Sequence, residues 1–153
     1  MTKWKSCFLG ELGEITSSKR IFQREYVGSG IPFFRTKEVK ELANKEPVSS
    51  ELFISRERYK EIKEKFGVPK TGDILITAIG TVGEIYVVED EKEFYFKDGN
   101  ILWLKGFDDV DPYFLRYLLS SLISELQNLS SGSAYKALPI AKLKEYRRCI
   151  IER

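Results

Sequence analysis

The segment Tyr113–Leu129 constrains the fold more than any other part of the chain. Ten of its seventeen residues are apolar. Asp111-Pro112 just before it makes a helix opening, with Asp as the N-cap and Pro at the first helical position, where its missing N–H leaves no bond unmade. Arg116 and Glu125 lie inside the run, so it is predicted as a buried core helix rather than a membrane segment. Ser130-Ser131-Gly132-Ser133 ends it. A core helix needs an apolar surface to cover, and the upstream sequence supplies one made of short strands.

Ile31-Pro32-Phe33-Phe34-Arg35 reads as an aromatic strand entered through Gly28-Ser29-Gly30, whose glycines permit a tight turn. Asp73–Ile79 reads as a buried strand. Gly80-Thr81-Val82-Gly83 turns it and Glu84–Val88 returns as the second arm of a hairpin. Phe94-Tyr95-Phe96 and Asn100–Leu104 are two further strands around Lys97-Asp98-Gly99, and Cys149-Ile150-Ile151 is a last one. Ser55 is placed to cap a helix over Arg56–Phe66, with Tyr59, Ile62 and Phe66 on one face, Glu61 and Lys65 paired at i,i+4, and Gly67 as its stop. Pro139 opens a short helix over Ile140–Tyr146. The strands precede the long helix instead of alternating with helices. The expected class is therefore α+β, a single domain with a mixed, strongly curved sheet and a few helices.

At 153 residues and 42% hydrophobic, the chain has the material for one core. No stretch of about 20 apolar residues is present, so no membrane span is expected. Glu11 and Glu14 interrupt the start, which leaves no signal-peptide core. Two lone cysteines, Cys7 and Cys149, cannot form a disulfide framework, and a reducing cytoplasm is the expected location. Histidine is absent altogether. That excludes Ser–His and Cys–His nucleophile pairs, His metal sites and His proton shuttles.

The remaining enzymatic chemistry is sparse. Gly80–Gly83 lacks the Lys-Ser/Thr of a phosphate loop and joins two strands, so no cofactor is expected there. Asp111-Pro112-Tyr113 is only a partial likeness to an adenine methyltransferase tetrapeptide, and a helix cap explains it. Asp73 followed by Asp90-Glu91-Lys92 resembles the carboxylate-then-acid-x-Lys pattern of magnesium nucleases, although turn chemistry accounts for each residue separately.

Charge is uneven along the chain, at +3 over residues 1–50, −3 over 51–100 and +2 over 101–153. A basic surface built from the two ends would suit a phosphate-bearing partner. Three loop clusters supply candidates. Lys19, Arg20 and Arg24 lie in or just beyond the polar segment before the first strand. Arg35 and Lys37 flank Thr36 where that strand leaves the core. Ser133, Tyr135 and Lys136 follow Gly132 after the long helix. Each mixes cations that neutralise phosphate with groups that read a base edge. Arg35 is the one most expected to read a guanine, and Lys136 to hold a phosphate. Solvated loops of the same composition are common.

The order of segments then becomes informative. Trp4 with Leu9–Ile15, Gly30–Val39, Gly72–Thr77, Gly80–Gly83, Asn100–Leu102, Pro112–Leu115 and Gly132–Leu138 together resemble a target recognition domain. The family is that of the specificity subunits of type I restriction–modification systems. The likeness runs over roughly residues 4–150 and rests on order and spacing rather than on any one block.

The resemblance implies a non-catalytic protein whose domain reads one half of a split DNA sequence. Its implied partners are double-stranded DNA, the methyltransferase (modification) subunits that methylate adenine, and a motor-nuclease subunit. A full specificity subunit has two recognition domains and long spacer helices. This sequence has room for a single recognition domain over 1–153, without the spacer helix, and is expected to be a shortened subunit, a half-subunit or a segment of a split gene. An apolar surface where the spacer helix would pack would favour self-association. The family's base-reading residues vary, so the candidates remain those drawn from chemistry. Two other classes stay open: a magnesium-dependent nuclease using Asp73, Asp90 and Lys92, and a protein-interaction remnant without DNA affinity.

Overall fold

Apolar runs uninterrupted by polar residues need cover on both faces, and the computed structural model provides it. It describes residues 3–78, 83–129 and 147–152. In chain order the elements are β1 (Lys3–Phe8), α1 (Leu9–Leu12), β2 (Glu14–Thr16), a 3-10 turn (Gln23–Glu25), β3 (Tyr26–Val27), β4 (Ile31–Phe34), α2 (Thr36–Ala43) and β5 (Phe53–Ile54). They continue with α3 (Arg56–Lys65), β6 (Ile74–Thr77), β7 (Ile85–Val87), β8 (Tyr95–Phe96), β9 (Ile101–Lys105), α4 (Pro112–Leu129) and β10 (Arg147–Glu152). The class is α+β, as expected.

The strands form two four-stranded sheets, ordered β2-β9-β6-β7 and β3-β5-β4-β8, and a ribbon of β1 with β10. Pairing is antiparallel except between β4 and β8, where Phe33 lies beside Tyr95 and Phe34 beside Phe96 in parallel register. The predicted hairpin is present, with Ile74 opposite Val87 and Ile76 opposite Ile85. Its loop residues 79–82 lie outside the described part, but its base is held by Thr77. The buried Thr77 hydroxyl accepts from the Glu84 amide at 2.9 Å, and the Thr77 carbonyl accepts from the Gly83 amide at 3.0 Å.

Alternation along the central strands sends neighbouring residues into different cores. Ile74 and Ile76 of β6 and Leu102 and Leu104 of β9 pack with Leu115, Leu119, Leu122 and Ile123 of α4. Leu75, Ile101 and Trp103 face the other way, into a cluster with Phe34, Val39, Phe94 and Phe96. A third cluster joins Ile31, Phe33, Ile54 and Tyr95 of the second sheet to Tyr59 and Ile62 of α3. Edge-to-face contact between Phe96 and Trp103, with centroids 5.7 Å apart, ties the two sheets together.

Helix termini follow local chemistry. Asp111 accepts from the amides of Tyr113 (2.9 Å) and Phe114 (3.1 Å) and caps α4 as predicted. Ser55 accepts from Arg58 N at 3.1 Å and caps α3, which stops at Lys65 before Gly67 at φ +85°. Two details differ from expectation. Phe66 is turned to solvent instead of sharing the buried face of α3, because the helix has already unwound there. Up to Glu125, the long helix α4 buries one side only, leaving Tyr113 and Tyr117 exposed. The sequence also gave no sign of α2, where an exit from a strand was expected. The predicted helix 140–146 and the loop 130–133 lie outside the described residues.

Candidate nucleic-acid interface

The segment that carries Lys19, Arg20 and Arg24 crosses from one four-stranded sheet to the other, and hydroxyls stitch it down. Ser17 Oγ donates to the Ile101 carbonyl at 2.7 Å and accepts from the Gly99 amide at 3.2 Å. Ser18 Oγ donates to the Phe96 carbonyl at 2.6 Å, and the Lys19 amide donates to Tyr95 Oη at 2.5 Å. The loop therefore lies along β8 and the turn that leads into β9. Burial pushes the Tyr95 phenol up, so the hydroxyl that anchors Lys19 stays protonated at any ordinary pH.

The basic side chains of this loop are presented in two ways. Arg20 Nε meets Asp98 at 3.3 Å on the surface. Lys19 Nζ sits 4.2 Å over the centre of the Phe66 ring, and the Arg24 guanidinium 4.5 Å over that of Phe22. Both rings are nearly half exposed, at 47% and 46%. Among the described residues neither Lys19 nor Arg24 pairs with a carboxylate. A cation held over an aromatic face keeps its charge available to an anion. Glu25 is spent elsewhere: it accepts from the Phe22 amide and from Arg58 Nε at 2.9 Å.

Arg35 and Lys37 sit at the end of β4. The amide of Lys97 donates to the Phe34 carbonyl at 2.9 Å, so Arg35 and Lys97 leave adjacent parallel strands at the same end. That end also carries Asp98 and its partner Arg20. Arg20 thus joins Arg35 and Lys37 at one end of the β4–β8 pair, whereas Lys19 lies over Phe66 just after α3 and Arg24 precedes β3, toward the other end of β4. The third cluster, Ser133, Tyr135 and Lys136, falls outside the described residues.

Arg35 is held differently from the expectation for a free guanine reader. Its Nε and Nη2 donate to Glu38 Oε1 at 3.1 and 2.7 Å, and Nη2 also to Glu51 Oε2 at 2.9 Å. Glu38 is fully buried at the third position of α2, and its other oxygen accepts the Arg35 amide at 3.3 Å. This reach-back of Glu38 caps α2 without a Ser, Thr or Asp at the N-cap. Lys37 Nζ meets the second oxygen of Glu51 at 3.1 Å. The carboxylates raise the Arg35 guanidinium, Glu38 first, and Arg35 followed by Lys37 holds the Glu51 carboxyl below its ordinary range.

Asp73, the first residue of the nuclease-like pattern, serves the sheet. Its Oδ2 accepts from the indole Nε1 of Trp103 at 2.9 Å and from the Lys70 amide at 2.9 Å. Burial nevertheless pushes this carboxyl up. Asp90 caps its own turn by accepting from the Lys92 amide at 3.3 Å. Among the described residues no group of three or more Cys, Asp or Glu is arranged to hold a metal ion. Phe22 and Glu51 were not singled out from sequence, and Phe66 was expected on the buried face of α3. A Phe beside Ile21, two residues before Arg24 in a loop rich in Ser, Lys and Arg, was the one readable signal.

Residues 1–147 match the family described as the type I restriction modification DNA specificity domain. The chain belongs to that family.

A relative of this specificity domain is the Haemophilus influenzae protein described as a type I restriction enzyme specificity subunit, S.HindORF215P. It is 38% identical over 97 residues, which cover 63% of this chain and 23% of the relative. Among solved structures, the HsdS subunit from Thermoanaerobacter tengcongensis aligns with a TM-score of 0.69 at 20% identity, over 96% of this chain and 33% of that one. A structure from work on complex assembly and conformational transition of the type I R-M system aligns with a TM-score of 0.69 at 21% identity, over 96% and 34%. The S subunit from M. genitalium aligns at 0.60 and 17% identity, over 98% and 35%. At such identities these three share the fold. The specificity domain described here spans about a third of each solved chain and under a quarter of the H. influenzae protein.

Proposed function

We propose that this chain is a single recognition domain, spanning 1–153, that reads one half-site of double-stranded DNA for a type I restriction–modification system. The observation that carries this is the family match over residues 1–147. The domain itself performs no chemistry. It directs a partner adenine methyltransferase and a motor-nuclease subunit, acts in the cytoplasm and needs no cofactor of its own. Among the described residues no helix is long and apolar enough to cross a membrane. The role of Asp73 as acceptor for Trp103 supports the non-catalytic assignment, because that role accounts for an acid at this position.

The DNA-facing surface is the loop stitched along β8 together with the exit of β4. Lys19 and Arg24, without carboxylate partners among the described residues, hold backbone phosphates. Phe22 and Phe66 supply apolar surface beside them. Arg20, Arg35 and Lys37 complete the surface, joined by Ser133, Tyr135 and Lys136. Phosphate contacts fix register while base contacts carry sequence information.

The test is binding to a randomised duplex pool at low and moderate salt, with sequencing of the bound fraction. Enrichment of a motif a few base pairs long is the expected result. Absence of binding even at low salt would overturn the assignment and favour a protein-interaction role. Alanine at Lys19 or Arg24 is expected to weaken binding to all sequences alike and to flatten the salt dependence by about one phosphate each.

A further inference from the structure

Glu51 occupies an unusual place for an exposed acid. One of its oxygens is gripped by Arg35 at 2.9 Å and the other by Lys37 at 3.1 Å. Two cations each taking a separate oxygen of one anion is the arrangement a phosphodiester would find at the same spot. The backbone leaves little choice about it. Leu52 accepts the Phe33 amide at 2.9 Å and Phe53 pairs with Pro32, so the chain lays Glu51 against the exit of β4. Meanwhile buried Glu38 grips the Nε and Nη2 side of Arg35 and fixes the plane of its guanidinium.

We propose that Arg35 and Lys37 form an anion notch for a DNA backbone phosphate, that Glu51 fills it as an internal stand-in when DNA is absent, and that Glu38 is the positioning residue for Arg35. This rests on the recognition function proposed above and deepens it. A phosphate must displace Glu51 before it gains Arg35 and Lys37. Binding to any passing duplex is thereby weakened, while a half-site that makes its base contacts can meet the cost of displacement. Specificity is a difference of affinities, and an internal competitor lowers the non-specific member of that difference. Glu51 is solvent-facing and its side chain alone has to swing away, so the exchange requires no refolding.

The experiment compares wild type, Glu51→Gln, Lys37→Ala and the double variant. All change exposed side chains, so folding is not at stake. Each is titrated with a random-sequence duplex over a series of salt concentrations, and each is also eluted by salt from heparin, a polyanion without bases. Glu51→Gln is expected to bind the duplex roughly 3- to 10-fold more tightly, in line with release of two exposed ion pairs. Its salt dependence should steepen by about one phosphate. The gain should shrink by half or more when Lys37 is already alanine. An unchanged affinity in Glu51→Gln overturns the notch, and so does a gain of the same size in the Lys37→Ala background, which would report net charge only. If no variant binds duplex at low salt yet Glu51→Gln alone is retained longer on heparin, the notch stands and the DNA-recognition function falls. If heparin retention is also unchanged, both fall.

Discussion

Replacing Asp73 by alanine isolates what one acceptor contributes to the centre of the molecule. Trp103 is 3% exposed, and the indole N–H donates to Asp73 Oδ2. Without that oxygen a buried donor is left unmet, which costs roughly 1–3 kcal/mol. The Lys70 amide also loses its partner, but Lys70 is exposed and water replaces the bond, so only about 0.5–1.5 kcal/mol is lost there. Together Asp73→Ala should cost about 2–4 kcal/mol, and a chain of this length should lose roughly 5–15 °C in Tm. Asp73→Asn keeps an acceptor in the same place and should cost less than about 1 kcal/mol. Urea denaturation followed by tryptophan fluorescence measures both. Two results would refute the reasoning: Asp73→Ala within about 1 kcal/mol of wild type, or Asp73→Asn falling as far as Asp73→Ala. A magnesium site on Asp73 would show itself in the same assay as stabilisation by the ion that disappears in Asp73→Asn.

Because burial raises the folded Asp73 carboxyl above its ordinary value, the native state binds that proton more tightly than the unfolded chain does. Its contribution to stability therefore grows as pH falls through the range just above the usual aspartate value and is lost as pH rises. Denaturant titrations between pH 4 and 7 should show wild type gaining on Asp73→Asn at the acid end. Gly30 adopts φ +150°, and a Cβ there would run into the Ile54 carbonyl oxygen, so Gly30→Ala should disrupt the β4–β5 pairing and cost more than about 2 kcal/mol by denaturant melt. Leu119 of α4 is fully buried against the first sheet, and Leu119→Ala should cost about 2–5 kcal/mol while leaving the affinity of the folded protein for DNA unchanged at low temperature.

What could be read from sequence follows from how local each determinant is. The runs around Ile74–Thr77 and Ile101–Lys105 are covered on both faces, so their apolar character is continuous and visible. The caps Ser55 and Asp111 act on amides three residues away or nearer, which makes α3 and α4 legible from their first residues. Helix α2 was missed because Arg35 stands where a small polar cap normally stands, and the capping carboxylate is the buried Glu38. Strand β5 is two residues long and owes its existence to pairing with both β3 and β4. In the candidate surface, Lys19, Arg20 and Arg24 stood out as charges in a polar loop. The part played by Glu51 did not, since it lies 16 residues from Arg35 and 14 from Lys37 and reaches them through the register of β4 with β5.

The two faces of the central sheet divide its strands by parity, with Ile74, Ile76, Leu102 and Leu104 serving the α4 side and Leu75, Ile101 and Trp103 the side that supports the basic loop. Every step of one residue along β6 or β9 changes the neighbourhood a side chain answers to. A single-residue insertion at the start of β9 would therefore exchange that strand's members of the two sets at once, sending Trp103 toward α4 and Leu102 and Leu104 toward the aromatic cluster. Substitution is a gentler perturbation, since it touches one neighbourhood and spares the other. Drift in sequence on the α4 side can thus proceed without blurring what the opposite side holds in place, whereas drift in length inside these strands cannot.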